Sequence, residues 1–126
     1  MEHITSRTNA LITRIRKLVA ERKHRRREGV MVCEGPKMLG EALRFLCQLP
    51  ERALPEKLEG RRYLVLDGVQ DPGNVGTLWR TADAFGADGM ILLPGCADPW
   101  SPKTLRATMG ACFRLPVWEG ALDDLV

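Results

Sequence analysis

No apolar run in this chain of 126 residues approaches the ~20 residues that a membrane-spanning helix needs. No signal-like segment precedes the first charges, so the expectation is a cytoplasmic protein with no membrane association. Cys33, Cys47, Cys96 and Cys112 form no CxxC pair and have no histidine beside them. That spacing excludes the common structural zinc and dithiol motifs. It points instead to reduced thiols packed in apolar segments, with no metal site. There are no internal repeats and no low-complexity tracts. Gly73-Asn74-Val75-Gly76 is not followed by Gly-Lys-Ser/Thr, which excludes a Walker-type phosphate loop.

What is present is a soluble-type composition, 44% hydrophobic and 28% charged, long enough for a real core. The net charge of +3 hides a split. Residues 1–27 carry Arg7, Arg14, Arg16, Lys17 and the run Arg22-Lys23-His24-Arg25-Arg26-Arg27 against Glu2 and Glu21, while the remainder is net acidic. A solvated helix face is one reading of such a run. The other is a polyanion partner, because adjacent cations repel unless phosphates neutralise them. Nucleic acid suits the run better than a membrane does, since the accompanying apolar stripe is aliphatic and fitted to packing.

In chain order, Leu11, Ile12, Ile15, Leu18 and Val19 predict a helix over residues 8–24, capped by Ser6 or Thr8 and ended by Gly29. Val30 to Cys33 reads as a strand, and Met38, Leu39, Ala42, Leu43 and Leu46 as a second amphipathic helix opened by Pro36. Residues 50–60 read as a linker on their prolines and charges. Residues 1–49 therefore form a partial domain and residues 61–126 a second unit. Tyr63-Leu64-Val65-Leu66 reads as a buried strand, followed by a turn rich in Asp, Pro, Gly and Asn. A helix then starts near Asn74, with Val75, Leu78, Trp79, Ala82 and Phe85 on its apolar face and Gly86 closing it. Thr77, Arg80 and Ala84 share another face. Gly89 to Leu93 is a further buried strand. Ser101-Pro102 opens a helix expected to reach Gly110, Phe113 to Val117 is a third strand, and Gly120 to Val126 starts another helix. Alternating strands and helices predict a parallel α/β sheet. A strand–loop–helix junction is where such sheets place ligands.

The pattern Asp71-Pro72-x-Asn74-x-Gly76-x-x-x-Arg80-Thr81-Ala82-x-Ala84-Phe85-Gly86 resembles the first signature motif of the SpoU (TrmH-type) RNA ribose 2′-O-methyltransferases. The resemblance continues through Ile91-Leu92-Leu93, Ser101-Pro102-Lys103, Arg106-Ala107, Met109-Gly110-Ala111 and Phe113 to Val117. Residues 5–46, with the basic helix, Arg25-Arg26-Arg27-Glu28-Gly29 and Glu34-Gly35, are similar to the start of the substrate-binding domain that precedes the catalytic domain in many members. The resemblance implies an α/β-knotted (SPOUT-type) parallel sheet acting as a homodimer. It implies methyl transfer from S-adenosylmethionine to a ribose 2′-hydroxyl of RNA, with rRNA favoured over tRNA. Arg80 takes the place of the motif's base or base-positioning group, and Asn74 that of the residue orienting it. A guanidinium is a demanding base, so a phosphate clamp that positions the ribose suits Arg80 equally. Asn74 also reads as a helix cap, and the two roles are compatible.

The RNA-facing residues implied are Arg22, Lys23, Arg25, Arg26, Arg27, Lys103 and Arg106, the last two read equally as solvated helix charges. Trp100 reads as core in preference to a base-stacking platform. The sequence departs from the family after Val117, where neither of the two downstream cofactor motifs follows. It departs again at Leu49-Pro50, where the first domain passes straight into the linker. The expectation is therefore an incomplete knot, a truncated member with no assignable cofactor-binding residues. The alternative is a non-catalytic RNA-binding remnant. A third reading is a small α/β protein binding an anion at the helix N-terminus.

Overall fold

The computed structural model describes residues 10–34, 44–50 and 53–125. The chain divides into two compact units, Met1–Leu49 and Pro50–Val126.

In the first unit the stripe of residues 11–19 forms α1 (Ala10–Ala20), with Leu18 fully buried. The expected single helix is broken: Glu21 adopts an extended conformation, and α2 (Arg22–Glu28) starts after it. The break leaves the last carbonyls of α1 without helical donors. Arg25 supplies them, its Nη1 donating to the Leu18 carbonyl at 2.6 Å and the Val19 carbonyl at 3.1 Å. Gly29 closes α2 in the left-handed conformation at φ 63°, as its position predicts. β1 (Val30–Glu34) follows and pairs antiparallel with β2 (Arg44–Gln48), Val30 opposite Gln48 and Cys33 opposite Phe45. Leu46 therefore lies in a strand rather than at the end of an amphipathic helix; pairing with β1 overrides its helical spacing. The other expected residues of that helix, Pro36, Met38, Leu39, Ala42 and Leu43, lie outside the described residues, as do the caps Ser6 and Thr8.

The second unit is the parallel α/β arrangement that the alternation predicts. β3 (Tyr63–Leu66), β4 (Gly89–Leu92) and β5 (Val117–Glu119) form a three-stranded parallel sheet in that order. β4 is paired on both sides and buried throughout, which is why its sequence is uninterruptedly apolar. β3 differs from the expectation. It is an edge of the described sheet, only Leu66 is buried, and Val65 is 42% exposed. α3 (Pro72–Ala84) crosses from β3 to β4, and α4 (Pro102–Ala107) from β4 towards β5. The core gathers Val75, Trp79 and Ala82 of α3 with Met90, Ile91, Trp100, Leu105 and Val117. Trp79 and Trp100 meet edge to face at 5.5 Å, and the Trp79 indole donates to the Leu115 carbonyl at 3.0 Å. Trp100 is thus core.

Elsewhere in this unit the structure departs from what the spacing predicts. Phe85 follows the last helical residue and is 78% exposed. α4 ends at Ala107 instead of reaching Gly110, because Met109 and Gly110 turn to positive φ. Residues Ala111–Phe113 then form a 3-10 turn, so the third strand starts only at Val117. That turn carries the Leu115 carbonyl to the Trp79 indole, a buried hydrogen bond that a strand from Phe113 would not supply. The final segment, Leu122–Leu125, is likewise a 3-10 turn.

The stretch expected as linker is not free of the second unit. Ala53 bridges Glu119 in parallel, and the Gly60 amide donates to the Tyr63 hydroxyl. The four cysteines are free thiols, half-buried rather than buried.

Candidate nucleic-acid and catalytic site

The signature stretch begins where β3 ends. Asp71, not Asn74, caps α3: its Oδ1 accepts the Asn74 amide at 2.9 Å, and Pro72 occupies the first helical position. The same Asx/Ser-Pro logic operates at Ser101-Pro102, where the Ser101 hydroxyl accepts from the Thr104 amide. Asn74 is thereby the third helical residue, held by its backbone and leaving its exposed amide side chain outward. Thr77, Arg80 and Ala84 are exposed with it along α3.

Arg80 makes no hydrogen bond or ion pair with any described residue. Its separation from Asn74, six residues, is about 9 Å of helix rise, and no hydrogen bond joins the two. The expectation that Asn74 orients Arg80 is not expressed as a direct contact.

Asp71 carries a second partner. Its Oδ2 lies 2.7 Å from Nζ of Lys103 on α4. The Lys103 hydrogen bond, followed by the Asn74 amide, holds the Asp71 carboxyl below the usual aspartate value. A carboxylate already occupies the positive end of the α3 dipole, so the reading of an anion site at this helix N-terminus does not stand. Lys103, expected either to face RNA or to be solvated, is 60% exposed at its side chain but ion-paired. Arg106 is exposed on α4.

Behind the exposed face, Gly76 explains why the motif needs a glycine. A β-carbon there would overlap the Thr104 carbonyl oxygen and stand 2.6 Å from Ala107 Cβ. Glycine lets α3 and α4 touch backbone to side chain, which brings Asp71 and Lys103 into reach. Further along, Arg114 bonds the Asp83 carboxylate at 2.6 Å through Nη2. Neither the Asp71 cap nor the Gly76 contact was anticipated. Asp-Pro ahead of an apolar-periodic run was the available signal for the first.

The loops after β3 and β4 are tied together at the carboxyl edge of the sheet. Leu93 donates its amide to the Leu66 carbonyl, Ala97 to Val69 at 2.8 Å, and the Cys96 thiol to Leu66 at 3.3 Å. These bonds hold the two loops against each other at the edge where open α/β sheets commonly bind ligands. An apolar groove of about 430 Å³ lies elsewhere in this unit, walled by Leu64, Leu78, Ala82 and Phe85.

In the first unit the basic run is not one continuous surface. Lys23, Arg26 and Arg27 are exposed, and Arg22 is half-buried. Arg25 is 3% exposed and bonded to α1, which removes it from the expected RNA-facing set. Its guanidinium supplies donors to helix-terminal carbonyls that the break leaves without them. His24 bridges Glu21 at 3.2 Å and Arg27 at 3.0 Å. No group of histidines, cysteines and carboxylates suited to a metal occurs among the described residues.

An open parallel α/β unit with a polar, cationic face on the first crossover helix defines the class. Comparison makes it particular: a sequence model of the SpoU rRNA Methylase family matches residues 61–125, just over half of the chain. The chain belongs to the SpoU rRNA methylase family. It is 47% identical over 81 residues to the 23S rRNA (guanosine(2553)-2′-O)-methyltransferase RlmP of Bacillus subtilis, an alignment covering 64% of this chain and 32% of that protein. It is 50% identical over 61 residues to human mitochondrial rRNA methyltransferase 3, covering 44% of this chain and 14% of that one. The fold resembles the crystal structure of an rRNA methyltransferase from Sinorhizobium meliloti, with a TM-score of 0.85 and 26% identity over 98% of this chain and 67% of that chain. An AdoMet-bound structure from the same organism gives a TM-score of 0.80 at 26% identity, covering 98% of this chain and 66% of that one. The chain spans about a third of the length of its Bacillus subtilis relative.

Proposed function

We propose that this chain carries the RNA-facing part of a SpoU-type RNA ribose 2′-O-methyltransferase, acting on rRNA in preference to tRNA with S-adenosylmethionine as methyl donor. The observation that carries the reading is Arg80, an exposed cation with no described partner on the helix that bears the family's first signature motif. Arg80 serves as a phosphate clamp that sets the ribose, since a guanidinium presents paired N–H donors to an anion and yields a proton site only reluctantly. Asn74, exposed on the first turn of α3, supplies an amide near the same backbone. Residues 1–49 act as a partial substrate-binding domain in which Arg22, Lys23, Arg26 and Arg27 meet phosphates, and Arg106 adds a cation on α4. We further propose a cytoplasmic homodimer, supported by the exposed Phe85 at the apolar groove and by the exposed Val65 on the edge strand β3.

A second reading is that this chain binds RNA through the same exposed cations, Lys23, Arg26, Arg27 and Arg80, without transferring a methyl group. Fluorescence anisotropy with a short single-stranded rRNA fragment tests the shared part. Affinity is expected to fall with salt, and Arg80→Ala to weaken binding several-fold while lowering the salt slope by about one. An Arg80→Ala variant with unchanged affinity and slope refutes the clamp. Tritiated S-adenosylmethionine then separates the two readings. Incorporation abolished by Arg80→Ala supports the enzyme, and RNA binding without incorporation supports the remnant.

A further inference from the structure

Resting on that reading, we propose that Lys103 is a positioning residue that locks the signature loop through Asp71, and not an RNA contact. Three features of the structure converge on it. Both oxygens of Asp71 are used, Oδ1 by the Asn74 amide at 2.9 Å and Oδ2 by the Lys103 ammonium at 2.7 Å. One carboxylate thus joins the first turn of the motif helix to the first turn of the next helix. Lys103 also stands in the first turn of α4, where the helix dipole disfavours a cation. Its local helix gives no reason for a lysine there; the facing carboxylate does. Finally, Gly73 leaves room for the arrangement. A β-carbon at that position would lie 2.8 Å from Asp71 Oδ1 and 3.6 Å from Lys103 Cε. Glycine there keeps a β-carbon off the Asp71 oxygen that caps the helix, while the lysine stem lies at ordinary contact distance.

The pair sits at the end of the close α3–α4 contact made by Gly76, so it is supported by rigid backbone on both sides. Its consequence for RNA is specific. A lysine neutralised by Asp71 offers little to a phosphate, while the loop it fixes presents Asn74 and, further along the same helix, Arg80. The two possible duties of Lys103 therefore predict opposite effects of removing Asp71's charge. If Lys103 were a phosphate ligand held in check, freeing it would strengthen RNA binding. If it is a lock, freeing it loosens Asn74 and weakens binding.

The test compares wild type, Lys103→Gln, Lys103→Arg, Asp71→Asn and the Lys103→Gln/Asp71→Asn double variant. Asparagine caps helices as well as aspartate does, so Asp71→Asn removes the charge and keeps the cap. In salt-dependent titrations with the single-stranded rRNA fragment, Lys103→Gln and Asp71→Asn are expected to lower affinity several-fold alike. The salt slope should stay unchanged, the double variant should be no worse than either single, and Lys103→Arg should restore binding. A slope reduced by about one in Lys103→Gln, together with tighter binding by Asp71→Asn, overturns the proposal. So does unchanged affinity in both. Amide hydrogen exchange at Asn74 gives a readout that needs no RNA. Faster exchange in both single variants, confined to the start of α3, supports the lock, and unchanged exchange overturns it. Failure of the wild-type chain to bind the fragment would count against the proposed function, while exchange at Asn74 would still decide the lock.

Discussion

Gly76→Ala is the sharpest perturbation of the scaffold beneath the signature motif. On an isolated helix the change would help, since alanine favours helix over glycine by about 1 kcal/mol. Here the new methyl would collide with the Thr104 carbonyl and sit 2.6 Å from Ala107 Cβ. Ordinary contact between carbons is about 3.5–4.0 Å, so α3 and α4 must part by roughly 1 Å. Neither side can yield through a flexible tip, because one obstacle is backbone and the other a β-carbon. Separation would also disturb the buried Trp79–Trp100 contact and the Leu105 packing beneath it. Overpacking of this sort costs about 1–3 kcal/mol, and the propensity gain offsets up to about 1 kcal/mol of it. Because neither obstacle can yield, the upper end of that range applies and the expected net loss is about 2 kcal/mol, which for a unit of this size lowers Tm by roughly 8–16 °C. Thermal and urea denaturation followed by circular dichroism measure it, with Thr77→Ala, on the exposed side of the same helix, as the control that should not lower Tm. Pairing Gly76→Ala with Ala107→Gly should recover part of the loss but not all, since the Thr104 carbonyl remains. A Gly76→Ala protein as stable as wild type, or more so, would refute the account of why the motif has glycine there.

Other outcomes follow from the same structure. Arg25→Ala removes two charge-assisted bonds to the Leu18 and Val19 carbonyls and should destabilise the first unit by about 2–4 kcal/mol, whereas exposed Lys23→Ala should change stability by no more than about 0.5 kcal/mol. Equal effects of the two substitutions in urea denaturation would contradict the buried role of Arg25. Asp88 accepts the backbone amides of Arg62 and Arg61, and these bonds hold its carboxyl below the ordinary value of 3.8. The folded state therefore binds that proton more weakly than the unfolded chain does. Asp88 contributes stability above 3.8, and the contribution is lost as pH falls through its lowered value. Asp88→Asn should flatten the acid limb of stability between neutral pH and about pH 3, as read from urea midpoints; an unchanged limb would count against it.

Much of this architecture was legible because local and non-local forces agree. The run Gly89 to Leu92 is apolar at every position, and the strand is paired and covered on both sides. Ser101-Pro102 caps a helix by chemistry confined to four residues, so it could be read without knowing any neighbour. The order of strands and helices followed from alternation, and the family from the letters of a single loop and helix. Reading failed where two distant segments had to meet. Periodicity assigned Phe85 to an apolar face, but α3 had already ended and the ring is exposed. It extended α4 to Gly110, where the chain instead turns to deliver the Leu115 carbonyl to Trp79.

The sequence by itself determined that the second unit is a parallel α/β sheet of the SpoU type and that Asn74 and Arg80 stand on its first crossover helix. Charge density alone also marked residues 22–27 as unusual. Tertiary structure decided which of those charges are available. Arg25 turns inward because a broken helix leaves carbonyls that need donors, and Lys103 turns to Asp71 because Gly76 lets two helices approach. Composition counts cations without regard to direction, whereas packing assigns each one a partner or leaves it, like Arg80, facing outward.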